Sequence, residues 1–353
     1  MDTFNQGHAL VIGAGGDLPN TVDDAVGLAE ILTDPARCAY LPGQVHLLVA
    51  EQATRAGILF ALNALVQSTD FQSTVIVYFS GHGYQTISST GESYYLLPHG
   101  YEIERLYQTG VSGAEFADRL RAIPSQKLLV LLDCCHAGGV GEAKAPGLRM
   151  AKSPLPPEAQ SLLAEGSGRV LIASSQEEEL SFAGRPYSAF TLALIEALSG
   201  AGVAKRDGYV RVADLALHAR EVVPGRTGGR QHPLLHFEQA DNFALAYYAG
   251  GETQLKGMPF AGEPEIEPEP GAWVKVTQRG QVNVVGEMSG QVAVATGGSH
   301  LIQFGDVSGG QVVVGGKAAQ PSSDGAGYCS ACGHQLGAGA KFCNQCGAMV
   351  GAG

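Results

Sequence analysis

Two apolar runs end on residues that can do chemistry. Thr74-Val-Ile-Val-Tyr-Phe-Ser80-Gly-His82-Gly83 ends on a histidine between glycines, and Leu128-Leu-Val-Leu-Leu-Asp133-Cys134-Cys135-His136 ends on a cysteine pair. Short apolar runs of this kind read as buried strands, and in open α/β sheets sites gather outside the carboxyl ends of strands. The spacing therefore predicts His82 just past one strand end and a cysteine just past another. An imidazole beside a thiol lowers the thiol pKa and creates a nucleophile. Backbone N–H groups near the same turns, such as those of Gly83 and Cys135, are candidates to bind the oxyanion of a tetrahedral intermediate. A lone cysteine at a strand end is more often a small buried hydrophobe. It is the two motifs together, on alternating elements, that point to nucleophilic catalysis.

The elements that must position them are legible as a pattern. Leu10–Ala14, Gln44–Ala50, Thr74–Phe79, Leu128–Leu132 and Arg169–Ala173 are mostly apolar rather than alternating, as expected for parallel strands covered on both faces. Helix patterns lie between them. Thr21-Val-Asp-Asp24 reads as a capping box ahead of Ala25, Val26, Leu28, Ala29 and Leu32, and Asp34-Pro35 ends that helix. Ser112-Gly-Ala-Glu115 starts a second helix, and Ser188 to Leu198 is a third. The predicted fold class is α/β, a doubly wound and mostly parallel sheet flanked by helices, followed by a small β-repeat segment and a short cysteine-bearing module.

The chain has 353 residues, 45% hydrophobic and 16% charged, enough apolar material for a sizeable core and too much for a disordered chain. A net charge of −12 argues against nucleic acid or an anionic membrane as the main partner. No stretch reaches the roughly 18 apolar residues of a transmembrane helix, and the start lacks the basic region of a signal peptide. Seven cysteines, two adjacent and four in CxxC pairs, make a poor disulfide framework and predict a reducing, cytoplasmic setting.

Residues 1–250 form the expected catalytic domain, interrupted by a loop at 138–157 that has glycines, prolines and no apolar period. Residues 251–275 read as an acidic, Pro-rich linker, stiff and solvated. Residues 276–320 contain four ten-residue units, each a β-prone run followed by Gly-rich turns, read either as short repeated strands or as a flexible spacer. Residues 326–350 hold Cys329-Ser-Ala-Cys332 and Cys343-Asn-Gln-Cys346. Four thiolates in two such knuckles make a closed tetrahedral site for structural Zn2+, and the segment is too small to fold without it. Protein contact is the default role for this end of the chain.

Ser80-Gly-His-Gly83 with Asp133-Cys-Cys-His-Ala-Gly138 resembles the caspase-like cysteine peptidases, nearest the prokaryotic metacaspase (orthocaspase) branch. Ile172-Ala-Ser-Ser-Gln with Glu179, the helix from Ser188, and Gln231-His-Pro233 resemble further segments of that family, so the likeness spans about residues 8–248. The resemblance implies a catalytic dyad of His82 and Cys135, with Cys134 standing where metacaspases typically carry serine. It implies an acidic substrate pocket from Asp24, Ser80 and Asp133, and hence cleavage of protein or peptide substrates after Arg or Lys. It also implies self-cleavage in the 138–157 loop, at Lys144, Arg149 or Lys152, the alternative being a loop that only covers the site. A role in bacterial stress, defence or cell death is implied by the family alone, and calcium dependence is not legible in the sequence. The expected function is a cysteine endopeptidase whose C-terminal module serves recruitment or assembly. The alternative from another class is a catalytically silent scaffold acting through its zinc ribbon.

Overall fold

The computed structural model describes residues 3–88, 91–135, 149–151, 168–176, 179, 181–238, 241–247, 257–260 and 263–266, together with strands at 273–276, 282–285, 292–296, 300–304 and 313–314. Within these, the backbone alone is described at 87–88, 91–92, 135, 149–151, 238 and the strands from 273 onward. The chain divides into two compact units, Met1–Gly271 and Ala272–Gly353.

Among the described residues, the first unit contains thirteen strands: β1 Gly7–Gly13, β2 Val45–Val49, β3 Thr74–Ser88, β4 Gly91–Leu97, β5 Val111–Ser112, β6 Lys127–Cys135, β7 Arg149–Ala151, β8 Arg169–Ala173, β9 Gly184–Arg185, β10 Tyr209–Arg211, β11 Leu234–Glu238, β12 Ala244–Tyr247 and β13 Glu265–Ile266. Its helices are α1 Asn20–Thr33, α2 Arg55–Ser68, α3 Leu106–Thr109, α4 Gly113–Arg121, α5 Ala189–Leu198 and α6 Val212–Arg226. The main sheet has the order β11-β8-β6-β3-β1-β2. It is parallel from β8 to β2, and β11 is antiparallel at its edge.

Because side chains alternate across a strand, the two parities of each central strand feed two cores. Val11, Ile76, Tyr78, Leu129 and Leu131 face a layer built by α1, α5 and α6, which also buries Cys38. Leu10, Ile12, Val75, Val77, Phe79, Leu128, Val130 and Leu132 face the other layer, from α2 and α4, which also buries Cys134. Both parities are apolar because both faces are covered. α5 is buried almost all round, Glu196 being the exception, as befits a helix packed between the sheet and its neighbours. The expected mixed, mostly parallel sheet flanked by helices is the architecture of this unit.

Several local expectations change. The capping box at Thr21–Asp24 does not form: α1 starts at Asn20 behind Pro19, without a side-chain cap. Thr21 Oγ1 instead donates to the Leu18 carbonyl at 2.7 Å and accepts from Gly15 N at 2.8 Å, and Asp24 turns inward. Ser112 and Ser188 do cap their helices, accepting from Glu115 N at 3.2 Å and Thr191 N at 3.0 Å. The stretch read as solvated linker is docked at several points. Arg37 Nη2 donates to the Gly257 carbonyl at 2.9 Å, Met258 and Ile266 pack on the core, Phe260 meets Tyr187 edge-on at 5.7 Å, and β13 pairs with β9. Its acidic composition hides these few apolar anchors. Among the described residues, no helix is long and apolar enough to cross a membrane.

The second unit has strands β14 Trp273–Val276, β15 Val282–Val285, β16 Val292–Thr296, β17 His300–Phe304 and β18 Val313–Val314. The first, second and last form one antiparallel sheet, and β16 and β17 form a hairpin. From β15 onward, one strand falls largely within each ten-residue unit.

Candidate active site

β3 and β6 are parallel neighbours, and their register pairs Ser80 with Asp133, Gly81 with Cys134, and His82 with Cys135. The histidine and the cysteine motif thus lie side by side at the carboxyl end of the sheet. The strands do not stop where the apolar runs stop. β3 continues to Ser88 because, beyond the end of β6, it pairs with β4 on one side (His82 opposite Leu97) and β7 on the other. His82 is therefore held in a strand rather than on a loop. The glycines around it are required by close approach. A Cβ on Gly81 would lie 2.7 Å from the Phe79 ring, and one on Gly83 would lie 2.1 Å from the Tyr94 hydroxyl.

His82 is buried, and its two ring nitrogens differ. Nε2 lies 2.9 Å from Asp17 Oδ2, whereas Nδ1 is buried and has no hydrogen-bond partner among the described residues. Tyr101 stands edge-on to the imidazole at 6.4 Å, close enough to Asp17 to feel its charge. Burial first, then the charge of Asp17, pushes the Tyr101 hydroxyl up to about 12, so it stays a donor. A cleft of about 20 Å3 lies between Gly15, Asp17, His82 and Tyr101, room for a single water. Sequence reasoning missed Asp17. The available signal was Gly15-Gly16 directly after the first strand: both adopt positive φ (67° and 71°), which folds a tight turn and turns the next residue towards β3.

Cys134 belongs to the opposite parity and is buried in the α2–α4 layer, where the Tyr94 hydroxyl donates to its sulfur at 3.6 Å. Burial pushes its thiol up to about 12, with the Asp133 charge adding to the rise, so it is a protonated thiol at neutral pH. For Cys135 the backbone is described and the side chain is not.

Asp24, Ser80 and Asp133 are brought together on the α1–α5 face, 1%, 0% and 0% exposed. Asp24 accepts from Ser188 N at 2.7 Å and from Ser80 Oγ at 3.4 Å. Asp133 accepts from Ser188 Oγ at 2.6 Å, Ser181 Oγ at 2.8 Å and Thr191 Oγ1 at 3.1 Å. Asp24 is neither a helix cap nor Asp133 a surface acceptor. Burial raises both carboxyls, and the neighbouring Asp133 charge raises Asp24 further. With three hydroxyl donors and the N-terminus of α5 beside it, Asp133 ionises more readily than Asp24, whose carboxyl is raised the more. Among the described residues, no cation pairs with either carboxylate. Gln231 braces the cluster from behind: its amide donates to the Ser174 carbonyl at 2.9 Å and Ser181 Oγ at 3.2 Å and accepts from Phe182 N at 3.0 Å.

Of the expected cleavage positions, Arg149 lies on β7, opposite Ile87 of β3, so the 138–157 loop is not without structure throughout. Lys144 and Lys152 lie outside the described residues, as do Cys329, Cys332, Cys343 and Cys346. Among the described residues, no cluster of three or more His, Cys, Asp and Glu could hold a metal ion.

Comparison with known proteins adds the following. No curated protein sequence matches the chain significantly. One solved structure, protein GSU0716 from Geobacter sulfurreducens, is similar at 19% identity and a TM-score of 0.44, covering 65% of this chain and 92% of its own. Residues 328–350, which include all four CxxC cysteines, match the zinc-ribbon domain. Residues 6–244, more than half of the chain, match the caspase domain, and the chain belongs to the caspase-domain family.

Proposed function

We propose that the protein is a cysteine endopeptidase of the metacaspase kind that hydrolyses peptide bonds after Arg or Lys through His82 and Cys135. The observation that carries this reading is the register of β3 and β6, which sets His82 opposite Cys135, with one imidazole nitrogen buried and unpartnered. The Cys135 thiol gives its proton to His82, and its sulfur attacks the scissile carbonyl carbon. Backbone N–H groups, with those of Gly83 and Cys135 as candidates, hold the oxyanion. As the C–N bond breaks, His82 returns the proton to the leaving amine, and water then hydrolyses the thioester. Cys134 takes no part, because a thiol held protonated by burial is a poor nucleophile.

The buried carboxyl pair beside Ser80 supports the preference for basic residues: among the described residues no cation pairs with it, and a guanidinium would complete it by charge-assisted bonds. Four cysteines in two knuckles are the donor set of a closed zinc site, so Cys329, Cys332, Cys343 and Cys346 would hold a structural zinc that orders the C-terminal segment. That segment, with the repeats before it, would serve to recruit a protein partner in the cytoplasm. Self-processing would fall first after Lys144 or Lys152, since cleavage after Arg149 requires β7 to leave its ladder.

A fluorogenic peptide library presented to the purified full-length chain tests the core of this. Turnover of Arg and Lys substrates that is abolished in Cys135→Ala and reduced by about 10³-fold or more in His82→Ala is the expected result. Full activity in Cys135→Ala, or a preference for Asp before the cut, would overturn it. Silence of the wild type toward every peptide would favour a scaffold.

A further inference from the structure

Asp17 belongs to no pattern read from the sequence, yet its carboxylate is the partner of the site histidine. It sits in the turn between β1 and α1. Gly15 N bonds Thr21 Oγ1 there, and Ala14 N bonds the Ser80 carbonyl of β3 at 2.9 Å. The turn is thus tied both to α1 and to the strand that carries His82. The contact on Asp17 that matters is His82 Nε2, 2.9 Å from Oδ2. Tyr101 stands edge-on to the same imidazole and lines the cleft with Asp17.

A neutral imidazole carries one N–H. The nitrogen that faces a carboxylate is the one that keeps the proton, which leaves the other with a lone pair. Here Nε2 faces the carboxylate, and Nδ1 is the buried atom without a partner. We propose that Asp17 is the positioning residue of the His82–Cys135 pair. It holds the Nε2–H tautomer, so that Nδ1 takes the proton from the Cys135 thiol and returns it to the leaving amine, and its charge stabilises the imidazolium formed in between. This rests on the dyad reading above. The competing account is that Asp17, half exposed, only clips the turn to β3.

Full-length Asp17→Ala and Asp17→Glu, checked for unchanged melting temperature, separate the two accounts. In Asp17→Ala, kcat on an Arg peptide should fall on the order of 10²-fold or more with KM within about twofold, and Asp17→Glu should recover most of it. Nitrogen NMR of 15N-histidine-labelled protein, with the His82 signals assigned by their loss in His82→Gln, should show Nε2–H in the wild type and a tautomer mixture in Asp17→Ala. An Asp17→Ala enzyme within about twofold of wild type, or an unchanged His82 tautomer in that variant, would overturn the proposal. If the wild type turns over no peptide, the peptidase reading fails, whereas the NMR comparison still reports whether Asp17 sets the tautomer.

Discussion

Asp17 and the Asp24–Asp133 pair are the same side chain in opposite circumstances. Asp17 is 53% exposed and lies against the His82 imidazole, with Tyr101 lining the same cleft. Asp24 and Asp133 are sealed, meet only hydroxyls and one amide, and face each other. The first is open to water; low dielectric and mutual repulsion oppose the charge of the second, so the pair is protonated at higher pH than free aspartate. Residue type alone therefore predicts neither charge nor role. The first carboxylate can act only through the histidine it touches. The second stores an unneutralised charge that a cationic side chain could complete.

That contrast can be broken or sharpened by experiment. The largest effect is expected from Asp133→Asn, which removes the charged member of the pair. The kcat/KM for Arg peptides should fall by about 10²-fold or more, the cost of a lost buried charge partner, while alkylation of Cys135 by a neutral electrophile slows far less. Equal losses in both assays would mean that Asp133 supports the nucleophile rather than the substrate. A smaller effect concerns pH. Because the pair holds on to a proton that an entering guanidinium must displace, KM for Arg peptides should fall as pH rises above the ordinary carboxyl range. Asp24→Asn should flatten that slope, and a slope unchanged by the substitution would refute the shared proton.

Stability provides the next test. Below the ordinary carboxyl value of 3.8, Asp24 is protonated in both states and contributes no pH dependence. Above it, the unfolded chain loses the proton while the folded chain keeps it, so unfolding free energy declines with rising pH until the folded carboxyl also ionises. Urea denaturation of Asp24→Asn across that range should lack this decline. The smallest effect is expected from Cys134→Ser. Its hydroxyl can still accept from Tyr94, so turnover should stay within about twofold and stability should fall by about 1 kcal/mol.

Much of this was legible in the sequence. The central strands of the main sheet could be read because a sheet covered on both faces leaves apolar runs with no alternation, and Ser112 and Ser188 cap helices where their spacing to the apolar positions places them. The juxtaposition of Ser80-Gly-His82 with Asp133-Cys-Cys135 follows from two such runs being neighbours in one sheet. What escaped notice depends on partners distant in the chain. β3 and β6 run past Phe79 and Leu132 through Gly81, Gly83 and Asp133, residues that locally read as breaks. Tyr94 fills the space left by Gly83, and Ser181, Ser188 and Thr191 satisfy Asp133, none of which a local pattern reveals. Thr21 and Asp24 match a capping box in spacing, but the Gly15 amide and the Ser188 amide claim them first. Asp17 lies in a turn of four residues, too short to carry any period.

The two sealed thiols give the domain a pair of internal clocks. Cys38 is buried under α1, α5 and α6, and Cys134 under α2 and α4, so each reports on a different layer of the same sheet. Burial raises both thiols far above neutrality, which leaves almost no thiolate to react while the chain is closed. Alkylation at either position therefore counts openings of its layer. Peptide-resolved alkylation in native buffer would read the two rates in one sample. Equal rates mean that the layers separate from the sheet in a single cooperative event. Faster labelling of Cys134 would mean that the α2–α4 side breathes independently while the layer carrying the carboxyl pair stays shut.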